Sequence, residues 1–235
     1  MAVKKNDVHD DPGQLVIEKA KDFWTKYGKP VMIVSAVIIL VGGGYLAYKK
    51  LYKEPNEAKA SDALFTAESY QRKALMASKP DTLIGFALNG DGANLGFLRI
   101  MSRYKGTDAA NIAKLYAGEC YLIINDNNNA IKYLKDFSTS SNFFQARAYK
   151  LLGDAYADLG KNKEALDNYK KAAQEFKEDE DNSSEALFLA AYLAQTKLND
   201  TKQAIELFKE LKDKFPKTQR GSEADKYLAR LGVYN

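Results

Sequence analysis

Beyond residue 13 the apolar positions follow three successive patterns. Between Gln14 and Tyr27, Val16, Ala20, Phe23, Trp24 and Tyr27 recur at three- and four-residue spacing while Glu18, Lys19, Lys21, Asp22 and Lys26 take the other faces, which predicts an amphipathic helix over 14–28. From Val31 to Tyr48 run 18 residues without a charge, bounded by Lys29-Pro30 and Lys49-Lys50. At about 1.5 Å per residue this stretch reaches roughly 27 Å, enough to cross the hydrocarbon core with Tyr and Lys at its ends. After a short linker at Pro55, an Ala- and aromatic-rich helix is predicted from about Glu57 to Ser78, with Ala60, Leu64, Phe65, Ala67 and Tyr70 as its packing positions. Leu88 to Asn94 reads as a turn ahead of a helix from Leu95 to Tyr104, and the remainder reads as paired helices.

The third pattern repeats. Gly118-x2-Tyr121-x8-Ala130-x3-Leu134 returns 35 residues later as Gly153-x2-Tyr156-x8-Ala165-x3-Tyr169-x2-Ala172. A small residue with an aromatic three positions on, then Ala and a large apolar residue four apart, lets two antiparallel helices approach closely. One such pair cannot bury its own apolar face, so the pattern predicts a stack with a curved surface. Capping residues place the same boundaries. Asp200 with Gln203 has capping-box spacing before Ala204, Ile205, Phe208 and Leu211, Gly160 stops one helix, and Thr107-Asp108 and Ser140-Ser141 start others. The acidic run Glu178 to Asn182 is expected to be a solvated loop lengthening the last period.

This spacing resembles the tetratricopeptide repeat. In the copy at 146–179, Tyr149, Leu152-Gly153, Tyr156, Ala165, Tyr169 and Ala172 fill the pattern, with Lys177 where Pro is usual. A copy at 111–144 keeps Ala117-Gly118, Tyr121, Ala130 and Leu134; one at 185–218 keeps Ala204, Phe208 and Pro216 but has Ala191-Tyr192 for Leu-Gly. The expected fold is all-α: a single N-terminal transmembrane helix, then a TPR-like α-solenoid over 57–235, closed by a helix from Ser222 to Leu231. Residues 1–13 are expected to be a disordered tail. The whole arrangement, with Phe215-Pro216 and Ala224 to Ala229 near its end, resembles the membrane-anchored tetratricopeptide-like family that includes the ancillary subunit of the bacterial Sec translocon. Leu88-Asn89-Gly90 and Gly106-Thr107 are similar to members from the Bacteroidetes.

That resemblance implies a single-pass protein of the bacterial inner membrane with a cytoplasmic N-terminus and a periplasmic repeat domain. It implies Sec translocon subunits, a membrane-anchored peptidyl-prolyl isomerase-type chaperone and exported clients as partners. Charge does not fix the orientation, because Lys19, Lys21, Lys26 and Lys29 before the span balance Lys49, Lys50, Lys53 and Lys59 after it. A cleaved signal peptide ending near Gly42 or Gly44 competes with the anchor, but about thirty residues precede the apolar run and lysines resume at once after it. Phe23, Trp24 and Tyr27 suit the headgroup region, a partner subunit or a helix that extends the anchor, and Gly43 with Ala47 forms a small-residue face for helix association.

In tetratricopeptide repeats the concave surface is lined by the first helices, which here nominates Leu115, Glu119, Leu122, Arg147, Lys150, Asp154, Leu189 and Leu193 as the protein-binding groove. The same leucines suit a core equally well. Members that clamp a terminal carboxylate pair Lys with Asn; here Lys150 is present but Asp154 stands where Asn would, and it repels a carboxylate. A mixed groove suits a helix or an extended partner segment.

Composition narrows the function classes. The sole histidine, His9, lies in the tail, and with one Cys and one His no triad or zinc site can be assembled. Alternating Asp, Asn and Gly at 89–94 lack the later Glu of a calcium loop, and no Gly-rich phosphate loop occurs. Catalysis, metal and cofactor are not expected. Net charge is +4, but lysines alternate with acids and form no basic stripe, so nucleic acid is not an expected partner. Cys120 reads as a buried small hydrophobe. Two functions follow: a translocon-associated adaptor, or a self-assembling scaffold of an envelope secretion or assembly complex.

Overall fold

Pro12 is the first of the residues that the computed structural model describes, which run to residue 234; the tail expected over 1–13 therefore lies outside them up to residue 11. The chain falls into two units, 1–55 and 56–235. In the first, helix α1 runs Pro12–Tyr48, followed by a π-helical turn Lys49–Lys53. Of the alternatives for the 14–28 stretch, the helix extends the apolar one: the two are a single helix, with Pro30 inside it. A proline costs its helix one backbone hydrogen bond, and the long runs on both sides hold the helix through it. Phe23 and Tyr27 lie 5.2 Å apart, and the Trp24 indole covers Gly28. Val34, Ile38, Leu40 and the other aliphatics of the apolar stretch are exposed. Among the described residues, one helical stretch is long and apolar enough to cross a membrane, with a window of mean hydropathy 2.2.

The second unit is built from helices alone. Helix α2 (Glu54–Leu75) precedes α3 (Asp81–Asn89), α4 (Phe97–Arg103) and α5 (Asp108–Ile123). Pro55, expected to mark a linker, sits inside helix directly after the π-helical turn, where its missing N–H removes one backbone hydrogen bond. The sequence reading missed α3, although Pro80 precedes it and Ile84, Ala87 and Leu88 bury one helical face. The Leu88 to Asn94 segment is a turn as expected: Gly90 has φ 89° and bridges to Leu95, and the Asp91 carboxylate accepts from the backbone N–H of Ala93 and Asn94 at 3.0 and 2.7 Å. Glu57 on α2 accepts from the backbone N–H of Asp108 and Ala109, both at 2.8 Å, and so caps α5 from another helix. The Thr107 hydroxyl, accepting from Ala110 N–H at 3.1 Å, adds the local cap.

Three helix pairs follow: α5 with α6 (Asn127–Asp136), α7 (Asn142–Asp158) with α8 (Asn162–Glu175), and α9 (Glu180–Thr196) with α10 (Thr201–Lys214). Close approach within the first two pairs depends on their glycines. A Cβ on Gly118 would stand 2.5 Å from Leu134, and one on Gly153 would stand 2.5 Å from the Tyr169 ring. The acidic run is a loop only at Glu178 and Asp179, and from Glu180 it is helix. Asp179 caps α9, accepting from Asn182 N–H at 3.2 Å, and Glu180 and Asp181 form the first turn, where carboxylates complement the helix dipole. Gly160 ends α7 with φ 69°, and Asp200 caps α10 at 2.9 Å.

Helix α5 is shared between two apolar cores. Ala113, Ala117 and Cys120 face α2 to α4 with Ala60, Ile84, Phe97 and Ile100, while Leu115 joins the core of the later pairs. The stack is closed by α11 (Gln219–Arg230), which begins three residues before the expected Ser222 because Thr218 caps it. Tyr227 stacks on Phe208 at 4.9 Å and meets Phe188 edge-on at 5.1 Å. Arg220 places its guanidinium 4.1 Å from the Phe188 ring centroid while pairing with Glu185 and Glu223. In this third pair Tyr192 occupies the position that Gly118 and Gly153 hold earlier, and its ring meets that of Tyr227 edge-on at 6.4 Å.

Candidate protein-binding groove

The first helices of the repeats and the last turn of α2 enclose a cavity of about 690 Å³. Helix α7 supplies a full stripe, Phe143, Arg147, Lys150, Asp154 and Asp158, and the steps of four, three, four and four residues keep these on one face. Helix α5 contributes Glu119, Leu122 and Ile123, and α2 contributes Gln71 and Leu75. Phe176 and the start of α9 complete the wall, with Phe176 perpendicular to Phe143 at 6.1 Å between ring centroids.

Of the nominated groove residues, Glu119, Leu122, Arg147, Lys150 and Asp154 line this cavity together. Leu115 is 0 % exposed and Leu193 is buried, both in the core, and Leu189 is half-buried against it. The reason is coverage: α5 lies between two cores, and α9 is packed by α8, α10 and α11. In α1, Phe23, Trp24 and Tyr27 are exposed, and nothing lies within 4 Å of where a Gly43 side chain would start; Ala47 is exposed on the same helix. Sequence reasoning missed Phe143, although its four-residue step to Arg147 was legible. It also missed Gln71, for which no local signal exists.

Electrostatics in the groove are largely internal. Glu119, only 8 % exposed, accepts from Gln71 Nε2 at 2.9 Å and forms an ion pair with Arg147. Burial pushes its carboxyl above the usual range, against the opposing charge of Arg147 and the Gln71 hydrogen bond. Lys150 Nζ lies 2.8 Å from Asp154 Oδ2, and Tyr169 donates its hydroxyl to Asp154 Oδ1 at 2.9 Å. Burial, and then the Asp154 charge, push the Tyr169 phenol up. Both cations of the α7 stripe are thus engaged by carboxylates, which leaves neither free to clamp a terminal carboxylate. Cys120 is fully buried, and burial raises its thiol far above the range of reactive cysteines. Among the described residues no group of three or more His, Cys, Asp or Glu is placed to share a metal ion.

Comparison with known proteins gives one family match. The tetratricopeptide repeat model matches residues 185–218, the third copy read from the sequence. No curated protein and no solved structure matches the chain. The matched copy is the one with Tyr192 at the glycine position, so its second-helix residues Ala204, Phe208 and Pro216 carry the likeness. The match over residues 185–218, set among helix pairs that a C-terminal helix closes, supports a TPR-like repeat, a kind of repeat that generally mediates protein–protein interactions.

Proposed function

We propose that this protein is a single-pass adaptor of the bacterial inner membrane, with its N-terminus in the cytoplasm and its repeat domain in the periplasm. There it works beside the Sec translocon and a membrane-anchored isomerase-type chaperone and binds exported proteins as they emerge. The observation that carries the reading is the groove of about 690 Å³ on the repeat domain of a chain that also holds a helix long enough to span a bilayer. The architectural resemblance supports the compartment and the partners. The adaptor acts by binding and not by catalysis, a reading in keeping with the engagement of Arg147 by Glu119 and of Lys150 by Asp154 in the cavity.

Photoreactive residues at Phe143 and Lys150, irradiated in intact cells and followed by mild-detergent purification and mass spectrometry, test this. Translocon and isomerase subunits are expected among the cross-linked species. Recovery of a homo-oligomer without them would instead establish the scaffold reading. Orientation is tested separately by cysteine substitution at exposed Lys105, with native Cys120 shielded by burial. An impermeant maleimide is expected to label it from the periplasmic side of spheroplasts, and labelling only after lysis overturns the proposed topology.

A further inference from the structure

The occupant of the groove can be specified further from its charge, on the basis of the adaptor reading above. Five carboxylates, on Glu119, Asp154, Asp158, Asp179 and Glu185, line the cavity against two cations, Arg147 and Lys150. Those cations are taken by Glu119 and Asp154, and Glu185 is held by Arg220. Asp179 serves as the N-cap of α9. Asp158 differs from all of these. It is exposed, it forms no ion pair among the described residues, and it is the last residue of α7, a helix with no basic residue in its last turn. A carboxylate at a helix C-terminus opposes the helix dipole, so its charge there works against the stability of α7.

At the opposite end of the same stripe the wall is apolar and open. Phe143 is 43 % exposed there, a surface large enough to gain from being covered. Phe143 and Asp158 stand at the two ends of α7's groove face. Their separation is roughly 22 Å at 1.5 Å per residue, a distance that roughly seven extended residues span. We propose that the groove selects a short peptide segment in which an apolar anchor, seated against Phe143, is accompanied by Lys or Arg seated against Asp158. The negative surplus favours cationic flanks and rejects acidic ones, the reverse of a carboxylate clamp.

The test uses the full chain in phosphatidylcholine nanodiscs and three fluorescent peptides of about nine residues, which share a Leu-Phe core and carry Lys, Gln or Glu flanks. Anisotropy is read against empty nanodiscs. The Lys-flanked peptide is expected to bind about tenfold more tightly than the Glu-flanked one, with a preference that shrinks as salt is raised. Asp158→Lys is expected to reduce that preference to about twofold or less without lowering the melting temperature, because the new charge suits a helix C-terminus. Equal binding of all three peptides, tightest binding of the Glu-flanked one, or an unchanged preference in Asp158→Lys overturns the charge selection while leaving groove binding intact. Failure of every peptide to bind overturns the groove reading as well.

Discussion

Gly153 and Glu119 are residues whose roles come from what lies a few ångströms away. A methyl group on Gly153 would meet the Tyr169 ring at 2.5 Å, and that ring cannot retreat easily because its hydroxyl is tied to Asp154. Gly153→Ala gains about 1 kcal/mol of helix propensity and loses about 1–3 kcal/mol to overpacking. The expected net effect is a loss near 1 kcal/mol and a melting temperature lowered by a few degrees in circular dichroism; a raised temperature would disprove the close approach. Gly118→Ala, which meets the more flexible Leu134, is expected to cost less.

At Glu119 the sign of the pH effect follows from burial. A carboxyl whose folded pKa is raised binds its proton more readily in the folded state than in the unfolded chain. Its cost is therefore fully present above the folded value and is relieved as pH falls toward the unfolded value. Relative to Glu119→Gln, the native protein is expected to gain stability between pH 7 and pH 5, measured by urea denaturation at both. Glu119→Leu strands Gln71, itself buried, and is expected to lose about 1–3 kcal/mol. No pH-dependent difference between native protein and Glu119→Gln would contradict the burial argument.

Among the elements, α11 shows how a repeat stack ends. The third pair has Tyr192 where the earlier pairs have glycine, and Phe188 and Phe208 are the buried rings that α11 covers. Its Tyr227 packs on Phe188 and Phe208 and meets the partly exposed Tyr192 edge-on, and Arg220 ties its N-terminal turn to α9 through Glu185. Aromatic contacts of this kind add about 0.5–1.5 kcal/mol beyond the area they bury. Tyr227→Ala is expected to cost about 2–3 kcal/mol, below the full range for a buried aromatic because Tyr227 is half-buried. The check is a thermal melt together with binding of an apolar dye, which is expected to rise; a neutral result would show that α11 is dispensable as a cap.

For the whole molecule, the exposed aliphatic surface of α1 decides the environment. Val34, Ile38, Ile39, Leu40 and Val41 are all more than half exposed, a continuous apolar surface that water does not tolerate on a monomer. The full chain is expected to stay in the membrane pellet on alkaline carbonate extraction, and deletion of residues 1–53 is expected to release the rest to the supernatant. Release of the full chain would overturn the membrane span.

Local pattern by itself determined that this chain is helical, that its helices come in pairs near Gly118, Gly153 and Ala204, and that Val31 to Tyr48 is apolar on all sides. These properties are set by neighbours three and four positions away, which the sequence displays directly. Capping was legible for the same reason at Thr107 and Asp200, whereas Glu178 to Asn182 misled because an acidic run serves a loop and a helix start equally well. Five of the eight residues nominated by position in the repeat line the cavity. Tertiary structure alone decided that Leu115, Leu189 and Leu193 turn inward, that Glu57 caps a helix some fifty residues away, and that Gln71, Glu119 and Arg147 meet. Periodicity states that a helix face is covered; which helix covers it depends on contacts between distant segments, and no spacing within one helix encodes them.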